Sequence, residues 1–390
     1  MSETSGRPKV LFVATVVKTH IMEFHIPYLK MLKEMGCETA VAARNDYPDP
    51  KECVIPYCDE YTDIPFERNP LKPGNVRAYK MLKKLISEGG YDIIHCHTPV
   101  GGLLARMASR KARKKGTKVF YTAHGFHFFK GAPLKNWLIY YPVEKHYAKK
   151  TDVLITINQE DYQRASKFKA RKTVYVPGVG IDTSRFGRNE SVRVPKREEL
   201  HIAEDEFVIL SVGELIKRKN YKVVLEALSQ LKKDGRISGI RYLICGDGVL
   251  RDNLRSETEK LGLSDHVVFL GYRTDVEELC NCSDLFVFMS HQEGLPVALM
   301  EAMASGLPVI CSNTRGNTDL IKNGENGEIV ESSPEAVAQT ILKLRDQRDL
   351  CKRYAEAAES KIKAFDIASV SEKMRELYSE ALAHKGAVVK

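Results

Sequence analysis

Two glutamates eight residues apart flank the segment of the sequence with the clearest chemical potential. Glu293 and Glu301 enclose Gly294, Leu295 and Pro296, after an apolar run and at the start of a helical pattern. Glycine permits close approach of a ligand to the backbone, and proline suits the first turn of a helix. The helix start could bind a diphosphate, and Glu301, two turns further along, could accept hydrogen bonds from ribose hydroxyls. The alternative is a capped helix with two solvated glutamates.

Three consecutive cations, Lys217, Arg218 and Lys219, stand at the start of another predicted helix. The positive end of a helix dipole disfavours cations, so an anion bound there would remove an electrostatic penalty. Arg218 and Lys219 are therefore candidates for binding phosphate, with a solvated basic loop as the alternative.

One histidine, His124, follows a predicted strand in the first half of the chain and precedes Gly125. At a strand end it could hydrogen-bond a sugar hydroxyl or a developing charge, although a structural role is the alternative. His95 and His97 alternate along an earlier strand and are more typical of structural histidines.

A basic and aromatic segment in the first half could bind nucleic acid or an anionic membrane surface. No signature of a nucleic-acid-binding fold accompanies it, so nucleic acid is not an expected partner. Cations beside aromatic residues favour an interface that docks a lipid-phosphate substrate, with a merely solvated face as the alternative. The residues predicted to face the membrane or acceptor are Arg110, Lys111, Arg113, Lys114, Lys115, Phe128 and Phe129, and the segment also includes Arg106, Phe126 and Trp137.

Several kinds of site are missing from the sequence. Gly246 and Gly248 follow a strand, but Arg251 stands where a dinucleotide-binding loop has its third glycine. There is no Walker loop and no Asp-x-Asp motif, and the nine cysteines lack the spacing of a zinc site. We therefore expect no cofactor, no metal and reduced cysteines in the cytoplasm.

Apolar runs alternate with helical patterns along the chain, which predicts parallel α/β layers. A length of 390 residues indicates two domains. We predict two Rossmann-like domains that face each other across a cleft, over residues 1–180 and 190–365, with a helix in 366–390 packing back on the first domain. The predicted strands are 10–14, 38–42, 93–96, 118–122, 153–157, 173–176, 207–212, 241–245, 267–270, 285–289 and 309–311.

The elements place the candidate residues on loops that follow strands, where open parallel sheets bind ligands.

The net charge of +9 permits an anionic partner. The longest nearly apolar run, 10–17, is far shorter than the roughly 20 residues that span a bilayer.

These motifs together resemble the family 4 retaining glycosyltransferases of the GT-B fold, which has two Rossmann-like domains. The segment from Glu293 to Glu301 resembles the Glu-x7-Glu motif of that family, and 176–182 resembles its interdomain segment. The stretch from His95 through 124–131 to Asn158 is similar to the capsule and exopolysaccharide branch, whose acceptors are typically undecaprenyl-diphosphate sugars.

The resemblance implies roles for individual residues. Glu301 would bind the donor ribose, Glu293 the hydroxyls of the transferred sugar, and Lys219 the leaving diphosphate. His124 would contact the sugar near the reacting carbon, which makes His124, Glu293 and Lys219 the catalytic candidates. The expected substrate-binding residues are Arg218, Gly294, Leu295, Pro296, Glu301, Tyr272, Lys18 and Thr19.

The sequence departs from the family pattern at two places. Glu214 stands where the family usually has an arginine, so charge compensation would fall on Lys219 together with Arg218 or Lys217. The segment 16–20 replaces the common N-terminal Gly-Gly loop, which makes Lys18 and Thr19 candidates for contacts with donor phosphate or acceptor.

By resemblance, the chain would transfer a hexosyl or N-acetylhexosaminyl group from a UDP-sugar to a polyprenyl-diphosphate-linked saccharide in bacterial surface polysaccharide assembly. It would be metal-independent, cytoplasmic and peripherally associated with the inner face of the cell membrane. The alternatives are a UDP-sugar epimerase of the same architecture and a non-catalytic nucleotide-sugar-binding protein. The pattern suits glucose, galactose and N-acetylhexosamine donors alike.

Overall fold

The computed structural model describes residues 6–383, which form two compact units. One unit contains the chain up to Gly180 and the segment from Ile367 onward, and the other spans Ile181–Asp366. Residues 384–390, the end of the predicted C-terminal segment, lie outside the described residues. Each unit is built on a parallel sheet with helices between its strands, so the predicted α/β class is confirmed.

The first unit has a seven-stranded sheet in the order β3-β2-β1-β4-β5-β6-β7, with every pair parallel. Buried apolar residues lie on both faces of this sheet, because helices cover it from both sides. Its strands are β1 (Lys9–Val16), β2 (Glu38–Arg44), β3 (Glu60–Asp63), β4 (Ile93–His97), β5 (Lys118–Ala123), β6 (Val153–Thr156) and β7 (Lys172–Tyr175).

The helices of the first unit connect consecutive strands, and a π-helical turn (Val17–Met22) follows β1 directly. The last helix of the chain also belongs to this unit, where it packs against the first helix and buries Val370, Met374, Leu377 and Tyr378 in the core. The helices are α1 (Ile26–Glu34), α2 (Gly74–Gly89), α3 (Pro99–Ala108), α4 (Arg110–Lys114), α5 (Leu134–Ala148), α6 (Gln159–Ala165) and, at the chain end, α15 (Ile367–Ala383).

The second unit has a six-stranded parallel sheet in the order β10-β9-β8-β11-β12-β13. Its strands are β8 (Phe207–Val212), β9 (Ile240–Cys245), β10 (Val267–Gly271), β11 (Leu285–Phe288), β12 (Val309–Ser312) and β13 (Glu328–Val330). Its helices are α7 (Arg193–Glu199), α8 (Tyr221–Lys233), α9 (Arg251–Lys260), α10 (Val276–Cys282), α11 (Val297–Ala304), α12 (Asn317–Leu320), α13 (Pro334–Asp346) and α14 (Arg348–Ile362).

All eleven predicted strands are present, with ends that differ from the predicted ones by at most two residues. Two further strands were not predicted. β3 has two acidic ends and lies at the edge of its sheet, where one side stays open to solvent, and β13 has only three residues. Neither therefore carries the apolar run that marks a central strand. Within residues 6–383, no helix is long and apolar enough to cross a membrane.

Candidate active site

The candidate residues of the second unit lie beyond the carboxyl ends of two neighbouring strands. β8 leads through a loop into a 3₁₀ turn at Lys217–Lys219, and β11 leads through a loop into α11. Because β8 and β11 pair in parallel, both loops emerge at the same edge of the sheet. The sheet topology therefore brings together two segments that are about 75 residues apart in the sequence.

The carboxylate of Glu293 is the centre of this site. Its Oε1 accepts hydrogen bonds from Arg218 Nη1 and Lys219 Nζ, both at 2.8 Å, and from Ser290 Oγ at 2.6 Å. The three cations were predicted to need a bound anion, but this carboxylate already pairs with two of them. That part of the sequence argument is corrected. No group of residues 6–383 donates to the second oxygen, Oε2, so Glu293 keeps one acceptor atom for a ligand.

The two cations differ in environment. The Lys219 side chain is 14% exposed and its ammonium lies 4.6 Å from the centre of the Phe288 ring, whereas the Arg218 side chain is 38% exposed. Burial lowers the pKa of Lys219, while the charge and hydrogen bond of Glu293 oppose that shift. Lys219 therefore depends on the carboxylate for its charge, and Arg218 is the more accessible of the two to an anionic ligand.

Backbone contacts hold the two loops against each other. His291 donates its backbone N–H to the carbonyl of Arg218 at 2.8 Å, and Arg218 Nη1 donates to the carbonyl of Gln292 at 2.6 Å. A third loop, after β9, packs against the loop after β8, where a Cβ at Gly246 would lie 2.0 Å from the carbonyl oxygen of Gly213. Gly246 therefore serves close packing in this loop.

Arg315 is a part of the site that the sequence analysis missed. It lies beyond the carboxyl end of β12, is buried, and donates from Nε to the backbone carbonyl of Glu293 at 2.9 Å. Its neighbour Gly316 has a φ of 81°, and a Cβ there would lie 2.6 Å from the carbonyl oxygen of Gly294. These contacts fix the backbone on which Glu293 stands.

The N-terminus of α11 has the features of an anion site. Pro296 is the N-cap residue rather than a residue of the first turn, and no side chain of residues 6–383 caps the helix. The first N–H groups of α11 are therefore left for a ligand or for water. Gly294 and the buried Leu295 precede this end of the helix and form the turn that leads into it.

Glu301 lies in α11, two turns from Glu293, and is half-buried. Its pKa is raised to about 7, chiefly by burial; the charge of Arg185 opposes this shift and that of Glu277 adds to it. Tyr272, a predicted substrate contact, is 79% exposed in the loop after β10. Both residues belong to the same unit as Glu293, but within residues 6–383 neither forms a hydrogen bond with it.

In the first unit, His124 follows β5 as predicted and belongs to a group of histidines. Its Nε2 lies 3.3 Å from His97 Nδ1, and its ring centre lies 4.9 Å from that of His20. Burial lowers the pKa of His124 to about 4, so the imidazole is neutral near pH 7 and can donate or accept a hydrogen bond. His95 has a structural environment, because its two nitrogens bond Tyr378 Oη and Thr122 Oγ1 at 2.6 and 2.8 Å.

Lys18 and Thr19 are exposed on the π-helical turn next to His20. Asp46 accepts the backbone N–H of Lys18 at 2.6 Å and the hydroxyl of Thr19 at 3.0 Å. Both residues precede His20, whose ring centre lies 4.9 Å from that of His124, but the Thr19 hydroxyl already has Asp46 as a partner.

The basic and aromatic segment is not one continuous surface, and the prediction for Phe128 is wrong. Phe128 is fully buried, with its ring centre 4.7 Å from that of Phe126 and 5.3 Å from that of Tyr141. Arg106 is also fully buried, where its Nη1 donates to Glu144 Oε2 at 2.9 Å. Burial of the apolar ring stabilises the unit, whereas the buried guanidinium depends on its pairing with the Glu144 carboxylate to offset the cost of its desolvation.

Other members of the segment differ in exposure. Arg113 forms a two-point ion pair with Asp152, at 2.8 and 2.9 Å, and Phe129 is half-buried. The remaining predicted cations are exposed on or beside α4: Arg110, Lys111, Lys114 and Lys115.

A different part of the first unit exposes large apolar side chains. On α5, Leu134, Leu138 and Ile139 are 72%, 69% and 56% exposed. Two lysines of the same helix, Lys135 and Lys145, are exposed. The C-cap residue at the end of the helix, Lys149, is exposed as well. Trp137 and Tyr141 of the same helix pack against Phe128. The sequence analysis predicted Phe128 and Phe129 as surface residues, whereas Leu134, Leu138 and Ile139 are the exposed apolar residues of this part of the chain.

Two family models match this chain. The model described as "Glycosyl transferases group 1" matches residues 193–361, and that described as "Glycosyltransferase Family 4" matches residues 28–185. The first match contains the loops around Glu293 and Lys219, and the second contains His124.

Two relatives match most of the chain. EpsD of Bacillus subtilis, which is named as a glycosyltransferase, is 42% identical over 375 residues that cover 95% of this chain and 96% of EpsD. An Escherichia coli protein named UDP-Gal:alpha-D-GlcNAc-diphosphoundecaprenol alpha-1,3-galactosyltransferase is 30% identical over 80% of each chain.

Solved structures share the fold at low sequence identity. The structure of Anabaena HepE in complex with UDP and glucose has a TM-score of 0.78 at 20% identity, covering 96% of this chain and all of HepE. WaaG, a glycosyltransferase involved in lipopolysaccharide biosynthesis, has a TM-score of 0.72 at 19% identity over 94% of this chain and 99% of WaaG.

Proposed function

This chain belongs to the family 4 glycosyltransferases of the GT-B fold, and from that premise we propose that it is a retaining enzyme that transfers a sugar from a UDP-sugar to an undecaprenyl-diphosphate-linked saccharide. Its role in polysaccharide biosynthesis is supported by relatives that match 95% and 80% of its length. The observation that carries the donor assignment is the pairing of Arg218 and Lys219 with Glu293 beside the uncapped N-terminus of α11.

This arrangement supplies what a departing nucleoside diphosphate requires. The N–H groups of α11 and the two cations can stabilise the negative charge that develops on the phosphate. Glu293 Oε1 holds the cations in place, and Oε2 can accept a hydrogen bond from a hydroxyl of the transferred sugar. In this proposal, Glu301 accepts hydrogen bonds from the ribose hydroxyls and Tyr272 lies against the nucleotide, as the family resemblance implies.

The proposed reaction breaks the bond between the anomeric carbon and the phosphate oxygen. The acceptor hydroxyl forms the new bond from the same face, and its proton passes to a phosphate oxygen of the leaving UDP. His124, whose lowered pKa keeps it neutral, would hydrogen-bond the sugar near the reacting carbon. No side chain is assigned as a covalent nucleophile in this reaction, so preorganised charge supplies most of the acceleration.

The names of two relatives support the choice of substrates. The E. coli relative is named for a UDP-Gal donor, a diphosphoundecaprenol-linked acceptor and an alpha linkage. HepE, which shares the fold, was solved with UDP and glucose. Both lead us to propose a UDP-hexose or UDP-N-acetylhexosamine as donor.

A lipid-linked acceptor requires contact with the membrane surface, and α5 fits that requirement. Its exposed Leu134, Leu138 and Ile139 stand among lysines, a combination that binds the boundary of an anionic bilayer. The exposed cations of α4 add attraction for anionic headgroups. We propose peripheral association of the first unit with the cytoplasmic face of the membrane, through α5 rather than through Phe128.

The direct test is UDP release by the purified full-length chain, with a panel of UDP-sugars, with and without a polyprenyl-diphosphate sugar, in buffer that contains EDTA. Release that depends on acceptor, together with an alpha-linked product, is the expected result. UDP release without acceptor and with an altered sugar would indicate the epimerase alternative. Tight UDP binding without release for any pair would contradict the proposed donor and acceptor classes.

A further inference from the structure

Four histidines of the first unit form a cluster, and the proposed transfer reaction uses only one of them, His124. The histidine cluster consists of His20 on the π-helical turn, His25 just before α1, His97 at the end of β4 and His124 after β5. Each residue offers one ring nitrogen, and these four nitrogens lie within 4.8 Å of one another. Three separate segments of the chain therefore place four imidazoles around one point.

The distances within the cluster approach those of a tetrahedral zinc site. His20 Nε2 lies 3.3 Å from His25 Nε2, and His97 Nδ1 lies 3.3 Å from His124 Nε2. Four nitrogens at about 2.0–2.1 Å from Zn²⁺ in a tetrahedron are separated by about 3.3–3.4 Å. Two of the nitrogen pairs therefore already have the required separation, and the others lie within 4.8 Å.

The chemistry of the side chains also suits a metal. Each of the four imidazoles can offer a ring nitrogen, and imidazole nitrogen is a common ligand of Zn²⁺.

Two ring nitrogens of the cluster show unused hydrogen-bonding capacity. His25 Nδ1 and His97 Nε2 are buried and have no hydrogen-bond partner among residues 6–383. A buried polar atom without a partner costs about 1–3 kcal/mol. In both rings the other nitrogen, His25 Nε2 or His97 Nδ1, is the one that contacts a neighbouring histidine of the cluster.

We propose that the histidine cluster binds one Zn²⁺ ion through one nitrogen of each of the four rings. Four nitrogen ligands in a near-tetrahedral arrangement favour Zn²⁺ over metals that prefer square-planar or octahedral sites. This proposal differs from the expectation of no metal that the sequence analysis gave. Because His124 is one of the ligands, and given its role in the proposed function, bound zinc engages the lone pair of His124 and inhibits sugar transfer reversibly.

The test begins with binding, which needs no enzymatic activity. The full-length chain is freed of metal with EDTA, exchanged into chelator-free buffer, and titrated with Zn²⁺ against a chromogenic chelator. We expect one equivalent per chain and a zinc-dependent increase in Tm. Co²⁺ in place of Zn²⁺ should give the visible absorption bands of a tetrahedral site, and Zn²⁺ should remove them.

The variant to compare is the double substitution His20→Gln and His124→Gln, which changes the two ligands with some exposure to solvent. It should lose both the stoichiometric binding and the increase in Tm, while its Tm without metal shows whether it folds. His146→Gln changes an exposed histidine on α5 and should bind zinc as the unaltered chain does.

Binding below one equivalent, or equal binding by a correctly folded double variant, would overturn the site. Zinc bound without any effect on UDP release would overturn the inhibitory role alone. A chain that binds zinc but transfers no sugar under any condition would contradict the proposed function and leave the metal site standing.

Discussion

Lys219 and Glu293, which are 74 residues apart in the sequence, form a 2.8 Å ion pair at the carboxyl edge of the second sheet. The same carboxylate oxygen accepts a hydrogen bond from Arg218. A diphosphate that enters this site must therefore share two cations with a protein carboxylate. Because of this shared pairing, substitution of Glu293 and substitution of Lys219 should have different effects on UDP binding.

Glu293→Gln should reduce the turnover of UDP-sugar by about 100-fold or more, because preorganised charge around the reacting bond is lost. UDP affinity should not fall, since the amide no longer competes with phosphate for the two cations. Steady-state rates of UDP release and calorimetry with UDP measure the two quantities. A variant with unchanged turnover would show that Glu293 has no part in the reaction.

Lys219→Ala should weaken UDP binding and turnover together, because the buried ammonium is removed while Glu293 stays. The adjacent exposed Lys217 offers a matched control, and Lys217→Ala should leave both values nearly unchanged. If both substitutions had equal effects, UDP binding would depend on the total positive charge of this loop and not on the position of Lys219.

Arg315→Ala should lower kcat more than it raises KM, since its hydrogen bond to the Glu293 carbonyl positions the carboxylate rather than the nucleotide. Loss of this bond inside the protein costs about 1–3 kcal/mol, so the Tm should also fall. Arg353→Ala, which removes an exposed arginine of α14, is the control. A change in KM alone would mean that Arg315 binds substrate directly.

The pKa of Glu301 predicts opposite pH trends for donor affinity and for stability. The carboxyl has a pKa of about 7 in the folded chain and an ordinary value of 4.5 when unfolded, so its share of the free energy of unfolding is largest below pH 4.5 and is lost as pH rises through 7. Ribose hydroxyls donate best to the ionised form, so donor affinity should rise over the same range. Glu301→Gln should reduce the pH dependence of both quantities between pH 5 and 8. Denaturant titrations measure the free energy of unfolding, and calorimetry measures donor affinity.

The sequence was sufficient for the parts of the site that a single segment defines. Glu293, Glu301 and Lys219 each follow a strand that its apolar run identifies, and the rule for ligands at carboxyl ends then places them at one edge of the sheet. Ser290 and Arg315 follow β11 and β12 at the same edge. The same rule could have found them, had it been applied to every polar residue after a strand.

Partners that lie far apart in the sequence could not be predicted. Arg106 looked like part of a basic surface, because nothing near it in the chain indicates that Glu144, 38 residues later, pairs with it inside the unit. His20 and His25 gave no signal either, since only the packing of β1 beside β4 and the π-helical turn bring them to His97. Local patterns define strands and loops, whereas burial depends on contacts between distant segments.

Substitution of Phe128 tests whether its side chain is buried, as in the structure, or lies on the surface, as the sequence analysis predicted. Phe128→Ala should lower the free energy of unfolding by about 3–5 kcal/mol, because the ring is fully buried among aromatic residues. Leu71→Ala, at a side chain that is 90% exposed, should have almost no effect. Urea unfolding of both variants measures the difference, and equal stability of the two would contradict the buried position.

The exposed apolar residues of α5 predict how the chain contacts a membrane. The double variant Leu138→Glu and Ile139→Glu should bind vesicles that contain anionic lipid much more weakly, because each substitution replaces apolar contact with a charge that the surface repels. Its Tm should change little, since both side chains are exposed. Vesicle co-sedimentation at low and high salt measures the binding, with Leu71→Glu as a control that adds charge elsewhere. Unaltered binding by the α5 variant, or an equal loss in the control, would show that α5 is not the docking surface.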